Sequence, residues 1–159
     1  MENKFLEFLT KVKKSRDDSR EIPDLMLAID PGETSGWALF NAGKLGTSGI
    51  IEWTSKHGWD PIVDKIGEFN PNVVVCEEYR IYSGKRLVQA YSSVETVRII
   101  GAIEFICRKY KIKLIKQMAS GVKGFVTNEK LKEWGYYIKN KHARDAIRHG
   151  CYYLLFGKE

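Results

Sequence analysis

Cysteine is scarce in this sequence and never paired: Cys76, Cys107 and Cys151 are scattered singles with no CxxC spacing. That pattern argues against a disulfide framework and predicts three buried, reduced thiols in a cytoplasmic setting. Proline is also scarce, at four residues, and no stretch is of low complexity. With 43% hydrophobic residues, the composition excludes a disordered chain. No apolar run approaches the ~20 residues a membrane span requires. The N-terminus breaks its apolar positions with charges and has no small-residue cleavage site, so it does not read as a secretory signal. At 159 residues the chain has the length of one domain and can bury a real core without disulfides or a structural metal.

What the sequence does have is an uneven distribution of charge. The net charge is +6, but from Arg108 to Arg148 there are twelve Lys/Arg and three acidic residues, which leaves the rest of the chain at −3. A one-sided basic excess without a membrane signal suits nucleic acid as a polyanionic partner. A basic surface that serves only solubility is the plain alternative.

Apolar spacing predicts an amphipathic helix over 3–19, with Phe5, Phe8, Leu9 and Val12 on one face and lysines on the other. LMLAID (25–30) reads as a short buried strand, GWALF (36–40) as a second, and a third falls within 44–53 after the turn Asn41-Ala42-Gly43. These make an antiparallel meander. A short helix over 60–69 is closed by Asn70-Pro71, and NVVVC (72–76) is a continuous apolar run typical of a parallel strand buried on both faces. A long helix is expected over 86–109, apolar nearly all round between Ile99 and Ile106. Such a helix buries two faces, one on the sheet and the other on a second subunit, so the apolar stretch of Ile99, Ile100, Ile103 and Ile106 motivates a homodimer through this helix. IKLI (112–115) is a further strand, Asn128 caps a short helix that ends by Gly135, and a last helix spans about 141–156. The order gives a mixed α/β sheet with one core.

Three places carry chemistry. Asp30 ends the first strand, where a carboxylate is costly unless a cation compensates it, and Pro31-Gly32 turn the chain away. Its bland alternative is an Asx turn. Glu77 and Glu78 follow the NVVVC run, and strand alternation sends them to opposite faces, so at most one meets Asp30. Both as solvated strand-end acids is the alternative there. His142 and Asp145 lie three apart at the start of the last helix and share a face that His149 continues. Favourable placement near a helix N-terminus accounts for Asp145 without any function.

The order and setting of these signals resemble a known pattern. LAIDPGETSGWALF is similar to the first motif of RuvC-type Holliday junction resolvases, VVVCEEYRIY to the second and KHARDAIRHGCYYL to the third, across roughly Leu25 to Leu155. The phage-encoded branch is the most similar, which would put the protein in a host cytoplasm. The resemblance implies an RNase H-like fold: a mixed five-stranded sheet, made of an antiparallel three-strand meander plus two parallel strands, flanked by helices. Residues 1–22 would then be an N-terminal helical extension and 23–159 the nuclease domain. In that fold the first and fourth strands are neighbours and the last helix packs against them, which gathers the three acids.

Carried over residue by residue, the family's metal-binding carboxylates fall on Asp30, Glu77 and Asp145, and its fourth catalytic position, expected to bind metal as well, falls on His142. The resemblance selects Glu77 over Glu78. It also implies two Mg²⁺ or Mn²⁺ per site, hydrolysis that leaves 5′-phosphates, a homodimer, branched DNA as partner and no nucleotide cofactor. Converging carboxylates repel one another, and hard oxygen-binding cations relieve that repulsion. For DNA contact the candidates are Tyr79, Arg80, Tyr82, Lys85 and Arg86 after the second motif, with Lys116 and Lys123 from the basic region.

Three other readings stand beside this one. D-P-G-x-T-x-G-W also resembles the phosphate-binding hairpin of the sugar kinase and actin fold, but that fold needs two such domains and this chain has room for one. A domain of the same fold that holds branched DNA without cutting is the second. The third keeps the nuclease and replaces the four-way junction with forks, flaps or RNA-containing duplexes.

Overall fold

A computed structural model describes residues 2–79 and 94–158. The elements run α1 (Lys4–Ser15), β1 (Leu25–Asp30), β2 (Thr34–Asn41), β3 (Lys44–Glu52), α2 (Asp60–Phe69), β4 (Val73–Glu78), α3 (Val94–Lys109), β5 (Lys113–Met118), α4 (Ala119–Phe125), α5 (Asn128–Trp134) and α6 (Lys141–Phe156). One five-stranded sheet has the order β3-β2-β1-β4-β5. The first three strands are antiparallel, and β1, β4 and β5 are parallel. This is the mixed RNase H-like sheet expected from the sequence.

The β2–β3 hairpin closes through Ala42 and Gly43, both left-handed at φ 48° and 80°, between the paired residues Asn41 and Lys44. Two left-handed residues give the primed turn whose twist matches the strands. Alternation along the central strands divides the core. Met26, Ala28, Phe40 and Val75 face one side, where α6 and α1 cover them. Leu27, Ile29, Val74 and Cys76 face the other, under α2 and α3. α1 is anchored rather than loose: Phe5 is fully buried and meets Trp134 edge-on at 4.9 Å.

Several expectations require correction. The fourth strand runs on to Glu78, so Glu77 and Glu78 are its last two rungs rather than residues beyond it. The cap of α5 is Thr127, whose hydroxyl accepts from the Lys130 amide at 3.3 Å, and not Asn128. Asn128 instead offers its carbonyl oxygen to Arg148. Helix α4, with two glycines in seven residues, has no helical apolar period and was not anticipated. On α3 the isoleucines 99, 100, 103 and 106 are all buried in this chain's own core, so they leave nothing for a second subunit. The apolar residues that α3 does expose are Val94, Val97 and Phe105. The part of the predicted long helix before residue 94 lies outside the described residues. The three thiols are free and buried. Among the described residues no helix is long and apolar enough to cross a membrane.

Candidate active site

Strand alternation decides which acids meet. Asp30 follows Ala28 on the face covered by α6, and Glu77 follows Val75 on that same face. β1 and β4 pair in parallel with Ala28 opposite Val75 and Ile29 opposite Cys76, so the next rung sets Asp30 beside Glu77. Glu78 follows Cys76 toward the opposite layer. The register therefore selects Glu77, in agreement with the choice the resemblance made.

The third acid arrives on α6, and two glycines allow the helix to come close enough. A Cβ on Gly36, the β2 partner of Asp30, would overlap the His142 carbonyl and stand 2.6 Å from the Ala143 amide nitrogen. A Cβ on Gly150 would run into the Phe40 ring. With hydrogens at both positions, α6 lies directly on β2 and β1. Asn140 caps the helix by accepting from the Ala143 amide at 3.1 Å, which fixes where its first turn begins. His142 then has Nδ1 3.3 Å from Asp30 Oδ2, and Asp145 is buried one turn on.

Asp30, Glu77, His142 and Asp145 line one open cavity of about 650 Å³, together with Thr34, Thr96, Lys123 and Lys141. The electrostatics of this cavity are lopsided. Burial, and then the neighbouring Glu77 and Asp145 carboxylates, push Asp30 up to about 8 despite the opposing pull of Lys123. Burial acts on Glu77 in the same direction, but the hydrogen bonds it takes from His149 and from Asp30, with the charge of Lys123, outweigh it and hold Glu77 below its ordinary value. Asp145 is clamped by two cations, with Arg148 Nη1 at 2.5 Å from one oxygen and Lys123 Nζ at 3.1 Å from the other. Arg148 also donates from Nε to the Val126 carbonyl at 2.9 Å.

The donor set suits hard divalent cations, since three carboxylates and an imidazole border the same space. Two observations qualify this. Asp30 and Glu77 lie together, and among the described residues neither forms an ion pair with Lys or Arg, an arrangement a divalent cation would suit. Yet among the described residues no three His, Cys, Asp or Glu side chains close on one point as a ready-made cage. Lys123 already stands at Asp145, so that carboxylate becomes available to a cation only when the ammonium moves off.

No family model matches this sequence, and no curated protein matches it either. Solved structures do. Thermus thermophilus RuvC in complex with a Holliday junction substrate superposes with a TM-score of 0.66 over 83% of this chain and 93% of that one, at 14% identity. The fold is that of RuvC. The fowlpox virus resolvase bound to Holliday junction DNA matches at 0.55 and 17% identity, covering 81% of this chain and 97% of the other. The yeast mitochondrial Holliday junction resolvase Ydc2 matches at 0.52 and 14% identity, over 94% and 92%.

Within this RuvC fold the four residues expected to be catalytic come together. The DNA-contact candidates do not form one group. Lys123 enters the acidic cavity itself, while Lys116 pairs with Glu104 of α3 at 2.7 Å and does not line that cavity. Tyr79 is half-buried against the Leu27–Ile29 side of the core. Arg80, Tyr82, Lys85 and Arg86 lie outside the described residues. Sequence reasoning missed Arg148, Gln117 and Thr96. Arg148 was legible, being three residues after Asp145 on a helix, the spacing of a facing ion pair. Gln117 carried no local signal, because only the β4–β5 register brings it beside Glu77.

Proposed function

We propose that this protein is a divalent-metal-dependent endonuclease that cuts branched DNA, four-way junctions foremost, leaving 5′-phosphates. The observation that carries the reading is the convergence of Asp30, Glu77, Asp145 and His142 on one open cavity. The junction DNA bound by the fowlpox and Thermus proteins supports the choice of substrate. Asp30, Glu77 and Asp145 would hold two Mg²⁺ or Mn²⁺, which supply charge neutralisation for an in-line displacement at phosphorus.

The chain's own residues contribute the rest. His142 is about half exposed and held by Asp30 through Nδ1, which leaves its other ring nitrogen to take the proton of the attacking water. As the new P–O bond forms, the P–O3′ bond breaks, and the departing 3′ oxygen gains a proton from solvent. Lys141 at the cavity rim would steer the phosphodiester in, and Lys123 would leave Asp145 as cation and phosphate enter.

The test is a cleavage panel of sequence-matched junction, fork, flap and linear duplex, with Mg²⁺ and with Mn²⁺. Junction cutting in paired nicks is the expected result. A non-cleaving junction-binding module is the second reading, favoured by the Lys123 ammonium standing on Asp145. Tight junction binding with no cutting in either metal would establish it, and preference for forks or flaps would redirect the nuclease.

Paired nicking requires two sites in one assembly, and the exposed face of α3 is the proposed seam of a homodimer. Val97 and Phe105 are 50% and 68% exposed and lie two turns apart on one helix face, with Gly101 between them. Phe105→Asp is expected to convert dimer to monomer in sedimentation with little change in melting temperature. A variant that remains dimeric would place the seam elsewhere.

A further inference from the structure

Gln117, His149 and Glu77 form a hydrogen-bonded row behind the acidic cavity, and the amide at its far end determines the state of the imidazole between. His149 is fully buried on α6, one turn beyond Asp145. Gln117 is nearly so on β5, directly in register with Glu77 on β4. Gln117 Nε2 stands 2.9 Å from the His149 carbonyl oxygen. A carbonyl can only accept, so the group turned toward it is the NH₂, and the orientation of the amide follows. The same nitrogen lies 3.3 Å from His149 Nδ1. Its second hydrogen needs an acceptor there, which gives Nδ1 the lone pair. In the neutral ring the proton is then on Nε2, which faces Glu77 Oε2 at 3.4 Å, the outer edge of hydrogen-bonding range.

We propose that His149 is a positioning residue for the site: locked as its Nε2–H tautomer by Gln117, it donates to one oxygen of Glu77 and presents the other to a divalent cation. His149 does not line the cavity, so it acts through Glu77 and not on substrate. Because it shares α6 with Asp145, the same bond also sets the spacing between the strand-borne and helix-borne acids. A histidine merely satisfied in the core would need neither a particular tautomer nor any effect on cation binding. The role in cation binding rests on the nuclease reading, whereas the tautomer does not.

Two measurements on the full chain test the proposal. Imidazole ¹⁵N NMR should show His149 with an unprotonated Nδ1 and a protonated Nε2; an Nδ1–H tautomer or an imidazolium near pH 7 would overturn the lock. Mn²⁺ binding to DNA-free protein, followed by EPR of the free ion, should weaken about tenfold or more in His149→Leu and in Gln117→Met. His149→Gln keeps an N–H donor near the Nε2 position and should recover most of the affinity. Wild-type affinity in the leucine variant, or no gain from glutamine over leucine, would show that the ring only fills space. If His149→Leu fails to fold, Gln117→Met decides, since it removes the lock and keeps an apolar chain of similar length. Wild-type protein that cuts no DNA while showing the tautomer and the Mn²⁺ series would overturn the nuclease reading and leave the positioning role standing.

Discussion

Asp30 on a strand and Asp145 on a helix occupy the same cavity under opposite electrostatic conditions. Asp30 and Glu77 sit side by side at the ends of parallel strands, and Asp30 is pushed up to about 8 by burial and by its acidic neighbours. Asp145, one helix layer away, is gripped by Arg148 and Lys123. Among the described residues the strand half makes no ion pair with Lys or Arg, and the helix half makes two. The difference marks where an incoming cation would gain most: between Asp30 and Glu77 it would take the place of the proton that Asp30 keeps up to about pH 8, whereas at Asp145 it would first have to displace an ammonium. The fold creates both conditions, because a parallel strand pair sets residues of the same rung together, while a helix offers a cation three residues on.

The largest expected effect tests whether both halves are needed for chemistry. Asp30→Asn, Glu77→Gln and Asp145→Asn should each lower junction cleavage on the order of a thousandfold, several kcal/mol in the transition state, with junction binding retained in gel-shift assays. Near-normal cutting by Glu77→Gln would remove the strand half from the mechanism.

Folding stability should then separate the halves by sign. Asp145→Ala leaves a buried guanidinium without its carboxylate and should cost roughly 3 kcal/mol in urea denaturation without metal. Asp30→Asn removes an uncompensated acid and should stabilise the cation-free protein at pH 8. Equal losses from both would mean that Asp30 has a cationic partner after all.

The pH dependence sharpens the same contrast. Asp30 binds its proton more tightly folded, at about 8, than its ordinary value of 3.8. Stability of the cation-free protein should therefore fall as pH rises from about 4 to 8, by a few kcal/mol at most, and then level off. Glu77, held below its ordinary 4.5, opposes this only at the acid end, where its protonation costs stability. The slope between pH 5 and 8 should vanish in Asp30→Asn, and Mg²⁺ should raise the melting temperature more at pH 8 than at pH 5. A flat profile in the wild type would break the comparison.

The smallest effect concerns the lysine. Lys123 is about half exposed, so Lys123→Met should change stability by less than about 1 kcal/mol. It should nonetheless tighten Mn²⁺ binding by freeing Asp145. Weaker binding in this variant would show that the ammonium orders the site instead of blocking it.

Much of this was legible in the chain. LMLAID, the meander, the 60–69 helix and the last helix announce themselves because apolar period and turn residues agree locally, as Ala42-Gly43 and Asn70 show. The acids were legible as costly residues at element ends. The helix of 119–125 was not, since GVKG has neither period nor propensity and is held by packing against α6. The isoleucines of α3 were expected to divide between the sheet and a second subunit, because a sequence cannot distinguish an apolar face that covers its own sheet from one that covers a neighbour's; all four are buried in this chain.

By itself the sequence determined the strand order along the chain, most of the helices and the four candidate site residues, because each depends on local period, chain direction or a motif resembling known resolvases. Only the tertiary structure decided which partner each acid has. That Asp30 meets Glu77, that Glu77 meets His149 and Gln117, and that Lys123 reaches Asp145 follow from strand register and from the close approach of α6 allowed by Gly36 and Gly150. Electrostatic compensation is a property of distances across the fold, and residues 72 or 112 positions apart acquire those distances only when the sheet and helix close on one another.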